Sequence, residues 1–325
     1  MNYRLVCRKF LLVTISFLIA SPCFGGAQSG GGGSTISFAG RAPFLLDRLN
    51  LHLELATSKK PVDGLPRLSS EKQPEFGPLL ASDEAPFQRA LEILNGWYLI
   101  LPRRDKAARS RQSFKSKEEQ DKAELSEFVI RVMENLENGL PEFRNRPGMS
   151  LPYMRTTHTF ATHQYYLPPE VQNLNYVIQT AILYTEEYGS VISGAAFDIL
   201  DLETQAQLLI HESIRQLQFA YHFTMDNKSL QDLTALLLEP PQADKAHRIL
   251  ASMPPTLIGY IQLACGISSE GGLVPNDDLT ISFYNIFARA AISKQLKKRN
   301  ALLNGETGTS EFQKAINEAG AELLK

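Results

Sequence analysis

A histidine-glutamate pair is the clearest chemical signal in this sequence. His211 and Glu212 lie within Leu208-Leu-Ile-His-Glu-Ser-Ile-Arg215, a run that is apolar enough to form a buried helix. In a His-Glu-x-x-His motif, two histidines one helical turn apart bind zinc and the glutamate polarises the attacking water. The pair therefore indicates metal-dependent hydrolysis, with His211 as a zinc ligand and Glu212 as the catalytic base.

The second ligand position of this motif is occupied by Arg215. A guanidinium keeps its proton near neutral pH and repels a dication, so it cannot take the place of a histidine ligand. His222 lies on the same helical face as His211, but it is about 16 Å further along the helix axis. His158 and His163 would have to reach the metal from an extended segment. The motif is thus a degenerate form of HExxH.

Three interpretations of this helix remain. The first is structural, because Glu212 and Arg215 are spaced i, i+3 and can form an ion pair beside an apolar stripe. The second is a metal or hydrolytic site with altered ligands, for which zinc is the expected metal. The third is a metal-free polar binding site that uses His211, Glu212 and Arg215. We favour the first interpretation and therefore expect a non-catalytic protein without a cofactor.

The first 27 residues have the order of a secretory signal peptide. Arg4, Arg8 and Lys9 precede an apolar run of about 11 residues, which is too short to span a bilayer, and small residues follow. The sequence therefore predicts an exported protein, periplasmic or secreted, that has no integral membrane span after the leader is cleaved.

Composition and charge exclude several classes of protein. A chain of 325 residues with 43% hydrophobic and 21% charged residues is globular in composition, unlike collagen-like, coiled-coil or polytopic membrane proteins. The leader removes three cations and no acid, which changes the formal net charge from −2 to −5 and disfavours nucleic acid as a partner. Cys7 and Cys23 leave with the leader, so Cys265 cannot form an internal disulfide.

We divide the chain into four parts. Residues 1–27 are the signal peptide, 28–37 a glycine-rich tether, 38–150 a helical N-terminal region, and 151–325 an α+β core with C-terminal helices. Apolar spacing predicts N-terminal helices at 44–55, 85–101 and 117–137, and prolines predict a loop at 61–78.

The core is predicted to place strands before helices. Residues 153–167 favour extended structure, and the runs 176–184 and 190–197 around a glycine turn predict a hairpin. Asp201 is expected to cap a helix from Leu202 to about Phe223. Further helices are expected at 229–238, 245–252, 256–264, 277–302 and 310–324. The predicted fold is α+β, mostly helical, with a small central antiparallel sheet packed on the His-Glu helix.

A basic run extends from Arg103 to Lys117 and contains seven cations and one acid. Our first interpretation is a solvated connection between helices. The second is a contact with an anionic envelope component, such as anionic lipid or lipopolysaccharide.

The order of these segments resembles a group of uncharacterised exported proteins of predatory Gram-negative bacteria. The likeness rests on Leu167-Pro-Pro169, Tyr176–Ala181, Ala196–Leu200, Ala206–Glu212 and Leu230–Leu238. In that group a glycine-rich mature N-terminus precedes a leucine-rich helix similar to residues 44–55, and two strands lead into a helix bearing His-Glu. The group is similar to zincin metallopeptidases that have lost full metal ligation. The resemblance implies an exported, zincin-like core, with His211 and Glu212 as the matching positions.

Overall fold

The fold is taken from a computed structural model of the chain. It describes residues 33–38, 41–49, 60–62, 76–102, 114, 116–141, 153–157, 159–160, 165–167, 174, 176–185, 188–221, 225, 227–264, 297 and 301. Over these ranges the chain is α+β and mostly helical, with small sheets packed against helices, which confirms the predicted fold class.

Seven α-helices lie in this part of the chain. They are α1 (Glu84–Ile100), α2 (Lys117–Glu137), α3 (Gly194–Phe197), α4 (Leu202–Tyr221), α5 (Asn227–Leu237), α6 (Ala246–Ala251) and α7 (Pro255–Ala264). Short 3-10 turns cover Leu46–Arg48, Ala81–Asp83 and Ala243–Lys245. All of these α-helices except α3 were predicted, with each end placed within two residues of its observed position.

Nine short strands form three sheets in the same ranges. They are β1 (Ser34–Phe38), β2 (Phe44–Leu45), β3 (Lys60–Val62), β4 (Phe76–Gly77), β5 (Tyr153–Thr156), β6 (Tyr165–Leu167), β7 (Tyr176–Thr180), β8 (Ile182–Thr185) and β9 (Gly189–Ser193). The strand orders are β2-β1-β7, β3-β6 and β4-β5-β9-β8. Of the predicted hairpin, only β8 and β9 pair, and Gly189 in their turn has a φ of 78°, which favours glycine. Strand β7, in the first predicted run, belongs to another sheet, and residues 194–197 of the second run form α3.

The four-stranded sheet is mixed rather than wholly antiparallel. Strands β5 and β9 run parallel, with Tyr153 opposite Ser190 and Thr156 opposite Ser193, while β4 and β8 pair antiparallel at the two edges. Parallel pairing needs a long connection, and here the chain between β5 and β9 contributes β6, β7 and β8. This sheet packs on α4 through β8 and β9.

The N-terminal segment differs from its prediction in three places. The chain is already a strand at Ser34, within the predicted tether, because β1 pairs with β7 along its full length. Residues 44–48 form β2 and a 3-10 turn instead of beginning the predicted helix 44–55; residue 49 is helical, and residues 50–55 lie outside the described ranges. The two ends of the predicted loop 61–78 contribute strands β3 and β4. Leu46 and Leu49 are buried with Ile36 in a small second core, so long-range packing outweighs the helical spacing of the leucines.

The main core lies between α4, α1 and α2. Trp97 is buried there, and its indole N–H donates a hydrogen bond to the carbonyl oxygen of Leu237 at 2.7 Å. The rings of Phe87 and Tyr153 meet edge to face with centroids 4.9 Å apart. Helix α2 ends next to Gly139, where a Cβ atom would overlap the ring of Phe87. The end of α2 and the start of α1 therefore pack closely.

An ion cluster with a buried arginine and one buried acid joins the mixed sheet to the start of α1. Arg155 donates from Nη1 to Asp83 and from Nη2 to both carboxylate oxygens of Asp198 at 2.6 Å. Asp83 also accepts a hydrogen bond from the backbone N–H of Leu80 at 2.7 Å. Burial raises the pKa of the Asp83 carboxyl, although the Leu80 amide and Arg155 oppose that effect. The cluster therefore holds β5 of the mixed sheet against the 3-10 turn that precedes α1.

Several predictions fall outside the described ranges. They include the signal peptide at 1–27 and the C-terminal helices at 277–302 and 310–324, apart from residues 297 and 301. A search of the described helices finds none that is both long enough and apolar enough to cross a membrane.

Candidate functional site

Helix α4 places the His-Glu pair at the centre of the fold. The helix begins where Oδ1 of Asp201 accepts a hydrogen bond from the backbone N–H of Thr204 at 2.7 Å, as the predicted N-cap does. It packs against α1, α2 and α5 as well as the sheet. His211 is 4% exposed, Glu212 0% and Arg215 2%. The three side chains that could do chemistry are therefore inside the protein.

His211 is held by an acid from the N-terminal segment. Its Nδ1 lies 2.5 Å from Oδ2 of Asp47, which is only 2% exposed. Asp47 lies on the 3-10 turn after β2 and is 164 positions from His211 in sequence. At this distance the imidazole and the carboxylate share a hydrogen bond. This contact orients the imidazole and joins the N-terminal segment to α4.

Glu212 faces the four-stranded sheet. The hydroxyl of Ser190 on β9 donates a hydrogen bond to Oε1 of Glu212 at 2.7 Å. The Nε2 amide of Gln216, one helical turn beyond Glu212, donates to the same hydroxyl oxygen at 2.7 Å. All three residues are fully buried. Ser190 therefore connects two side chains of α4 to the sheet.

Burial shifts two acids at this contact in the same direction. It raises the pKa of the Glu212 carboxyl, and the groups that oppose it are, in descending order, His211, the Ser190 hydroxyl, Arg215 and the Gly33 amide. Burial also raises the pKa of the Tyr153 hydroxyl well above its ordinary value; the charge of Glu212 adds to the effect and Gln216 opposes it. Both groups thus favour their protonated forms.

Arg215, in the position of the missing histidine, reaches the next helix. Its Nη2 donates a hydrogen bond to Oδ1 of Asn227, the first residue of α5, at 2.6 Å. On another side of α4, the Ser213 hydroxyl donates to the carbonyl oxygen of Val132 at 2.9 Å, and Nδ2 of Asn135 donates to the carbonyl oxygen of Ser213 at 3.2 Å. The polar side chains of α4 therefore join it to α5 and α2 as well as to the sheet.

The residues described around His211 do not form a zinc ligand set. A protein zinc site takes three or four nitrogen, sulfur or oxygen ligands at about 2.0–2.3 Å. Across the described ranges, no group of three His, Cys, Asp or Glu side chains could hold a metal ion. Asp47 directs its carboxylate to Nδ1 of His211, and Arg215 stands where the second ligand would be. This donor set does not fit zinc.

Other sequence-predicted positions are only partly within the described ranges. His222, like His158 and His163, lies outside them. Of the basic run from Arg103 to Lys117, only residues 114, 116 and 117 are described, and Nζ of Lys117 pairs with Oδ1 of Asp121 at 2.8 Å. The structure therefore brings together His211, Glu212 and Arg215 on α4.

Sequence reasoning missed the partners of these residues. Asp47 could have been predicted as a partner, because it is an acid within an apolar run and a buried acid needs a partner. The sequence points to Gln216 less strongly, through its position one helical turn after Glu212. It does not point to Ser190 or Tyr153, because only the sheet brings them to α4. Comparisons of the chain with known protein families, curated proteins and solved structures found no match.

Proposed function

We propose that this chain is an exported envelope protein with a non-catalytic, structural or binding role. We also propose that its His-Glu helix, α4, is an internal joint, that is, a buried helix whose polar side chains hold the neighbouring elements together. The observation that carries the proposal is the 2.5 Å contact between His211 and Asp47 in the interior. A catalytic acid or base must reach the proton it transfers in a bound substrate. Here both side chains are buried, Nδ1 of His211 contacts Asp47, and the Glu212 carboxyl accepts a hydrogen bond from the sheet. The zincin-like core that the resemblance implies would then be a degenerate one.

The energetics of buried polar groups support a joint. Removing one partner of a buried hydrogen bond costs about 1–3 kcal/mol, because the other polar group is left unsatisfied. His211 makes such a contact with the N-terminal segment, Glu212 with β9 and Arg215 with α5. Three neighbours of α4 are therefore held by the side chains at the three positions where a metallopeptidase carries its motif.

Export is supported by the order of charged, apolar and small residues in positions 1–27. The mass of the protein recovered from outside the cytoplasm tests it. We expect a chain that begins near residue 28. Recovery of the uncleaved chain in the cytoplasm alone would contradict export.

Thermal unfolding in the presence of chelator tests the structural role. The joint consists of protein atoms, so the Tm should not change with EDTA or with added zinc. The rival function is a metal-dependent hydrolase with His211 as ligand and Glu212 as base. A Tm that rises with zinc in the wild type and in His247→Ala, but not in His211→Ala, would favour this rival. His247 is the matched control because it is exposed and its Nδ1 contacts only a backbone oxygen, at 2.8 Å.

The basic run supports a second role, binding to an anionic envelope component. Seven cations and one acid lie between Arg103 and Lys117, in a chain whose formal net charge is −2. A local cluster of this kind attracts anionic lipid headgroups or lipopolysaccharide even when the whole protein is acidic. Binding to anionic vesicles that weakens with added salt would support this role, and binding that salt does not change would count against it.

A further inference from the structure

Three buried polar atoms on the side chains around Ser190 have no hydrogen-bond partner among the described residues. They are the hydroxyl oxygen of Tyr153, Oε2 of Glu212 and Oε1 of Gln216. Tyr153 is 5% exposed, and the other two side chains are fully buried. Buried polar atoms in proteins nearly always have a partner. These three therefore indicate a ligand that is itself polar and small.

The three side chains lie close to one another. Glu212 and Gln216 both bond the hydroxyl of Ser190 at 2.7 Å, so their head groups point to the same side of α4. Tyr153 is the register partner of Ser190 in the parallel pair of β5 and β9, which puts its side chain on the same face of the sheet. Both Glu212 and Gln216 are close enough to the Tyr153 hydroxyl to act on its pKa.

We infer that Tyr153, Glu212 and Gln216 bind one internal water molecule. Oε2 of Glu212 and Oε1 of Gln216 each accept a hydrogen bond, and the Tyr153 hydroxyl donates one. A water molecule donates two hydrogen bonds and accepts up to two, so a single molecule satisfies all three atoms. Buried waters typically make about three such bonds.

The surroundings favour water over a monovalent cation. Arg215 lies near Glu212 on α4, and its positive charge would repel a second cation. Water also suits both protonation states of Glu212, because it can donate to a carboxylate or accept from a carboxylic acid. The inference rests on the proposed role of α4 as a joint and extends that joint from β9 to β5.

A high-resolution crystal structure of the protein tests the inference. We expect one electron-density peak within about 2.6–3.2 Å of the three oxygen atoms. The peak should be lost in Tyr153→Phe and retained in Tyr188→Phe, a buried tyrosine of the separate cluster that contains Met154 and Val191. Absence of the peak, with Oε2 of Glu212 in direct contact with Oε1 of Gln216, would overturn it. Failure of the proposed function would be seen separately, as anomalous scattering from zinc bound to His211.

Oxygen-17 relaxation dispersion tests the same inference in solution, where it counts long-lived internal waters. The count should fall by one in Gln216→Leu, which removes an acceptor and fills the site, and should stay unchanged in Tyr188→Phe. Equal counts in the wild type and in both variants would overturn the inference.

Discussion

Nδ1 of His211 and Oδ2 of Asp47 lie 2.5 Å apart inside the protein, although 164 positions separate them in the chain. The contact gives a structural use to the residue that an HExxH motif would give to zinc. It also explains why an N-terminal 3-10 turn packs at the centre of the fold. Substitutions at this pair should therefore change stability first.

Asp47→Ala should lower the free energy of unfolding by about 1–3 kcal/mol, measured by urea denaturation. The substitution leaves the buried imidazole of His211 without its acceptor. Asp232→Ala is the control, because it removes an i,i+4 ion pair with the more exposed Lys228 on α5 and should cost at most about 1 kcal/mol. Equal losses in the two variants would show that the His211 contact has no special role.

Glu212→Gln should change how stability depends on pH. Because burial raises the pKa of Glu212 in the folded state, the folded protein binds this proton more tightly than the unfolded chain does. The resulting stability is fully present below the ordinary glutamate pKa of about 4.3 and is lost as the pH rises through the raised value. The variant cannot ionise, so it should lack this loss.

The measurement is the free energy of unfolding of the wild type minus that of the variant, followed from about pH 4 to pH 9. This difference should fall with rising pH for Glu212→Gln. It should change much less for Glu134→Gln, a half-exposed carboxyl on α2 that pairs with Arg131. A difference that stays constant for Glu212→Gln would contradict the proposed effect of burial.

Two glycine substitutions should have opposite effects. Gly139→Ala should destabilise the protein by about 1–3 kcal/mol, because the added Cβ would overlap the buried ring of Phe87. Gly259→Ala lies within α7 and has no neighbour within 4 Å of the added atom, so it should stabilise by about 0.5–1 kcal/mol. Thermal unfolding of both variants checks the pair. A stabilised Gly139→Ala would show that α1 and α2 do not pack as described.

Neutralising the basic run should weaken vesicle binding. Changing Arg103, Arg104 and Lys106 to glutamine should cost about 1 kcal/mol per cation on anionic vesicles at low salt. The same change at Lys297, Lys298 and Arg299 is a matched control elsewhere in the chain. Sedimentation with vesicles measures both. Unchanged binding in the first variant would remove this second role.

The sequence predicts elements that depend on local residues. Helix α2 was placed correctly because its apolar stripe, including Leu125 and Phe128, and its stop at Asn138-Gly139 lie within or next to it. Strand β1 was missed because its partner β7 is more than 100 positions away and supplies the hydrogen bonds that make it a strand. The residues next to Ser34, a run of glycines, do not predict a strand.

The candidate site shows the same difference between features that depend on local residues and features that depend on distant ones. Local spacing placed His211, Glu212 and Arg215 on one helix, and it suggested that Glu212 pairs with Arg215. In the structure, Glu212 accepts a hydrogen bond from Ser190 on β9, and Arg215 donates one to Asn227 on α5. Those partners depend on how sheet and helices pack, which the spacing of residues within α4 does not determine.

The zinc content of the purified protein, measured by mass spectrometry, tests the central claim that the His-Glu helix is a joint. We predict well below one zinc per chain, with no difference between the wild type, His211→Ala and His247→Ala. One zinc per chain in the wild type and in His247→Ala, lost in His211→Ala, would contradict the claim and establish His211 as a metal ligand.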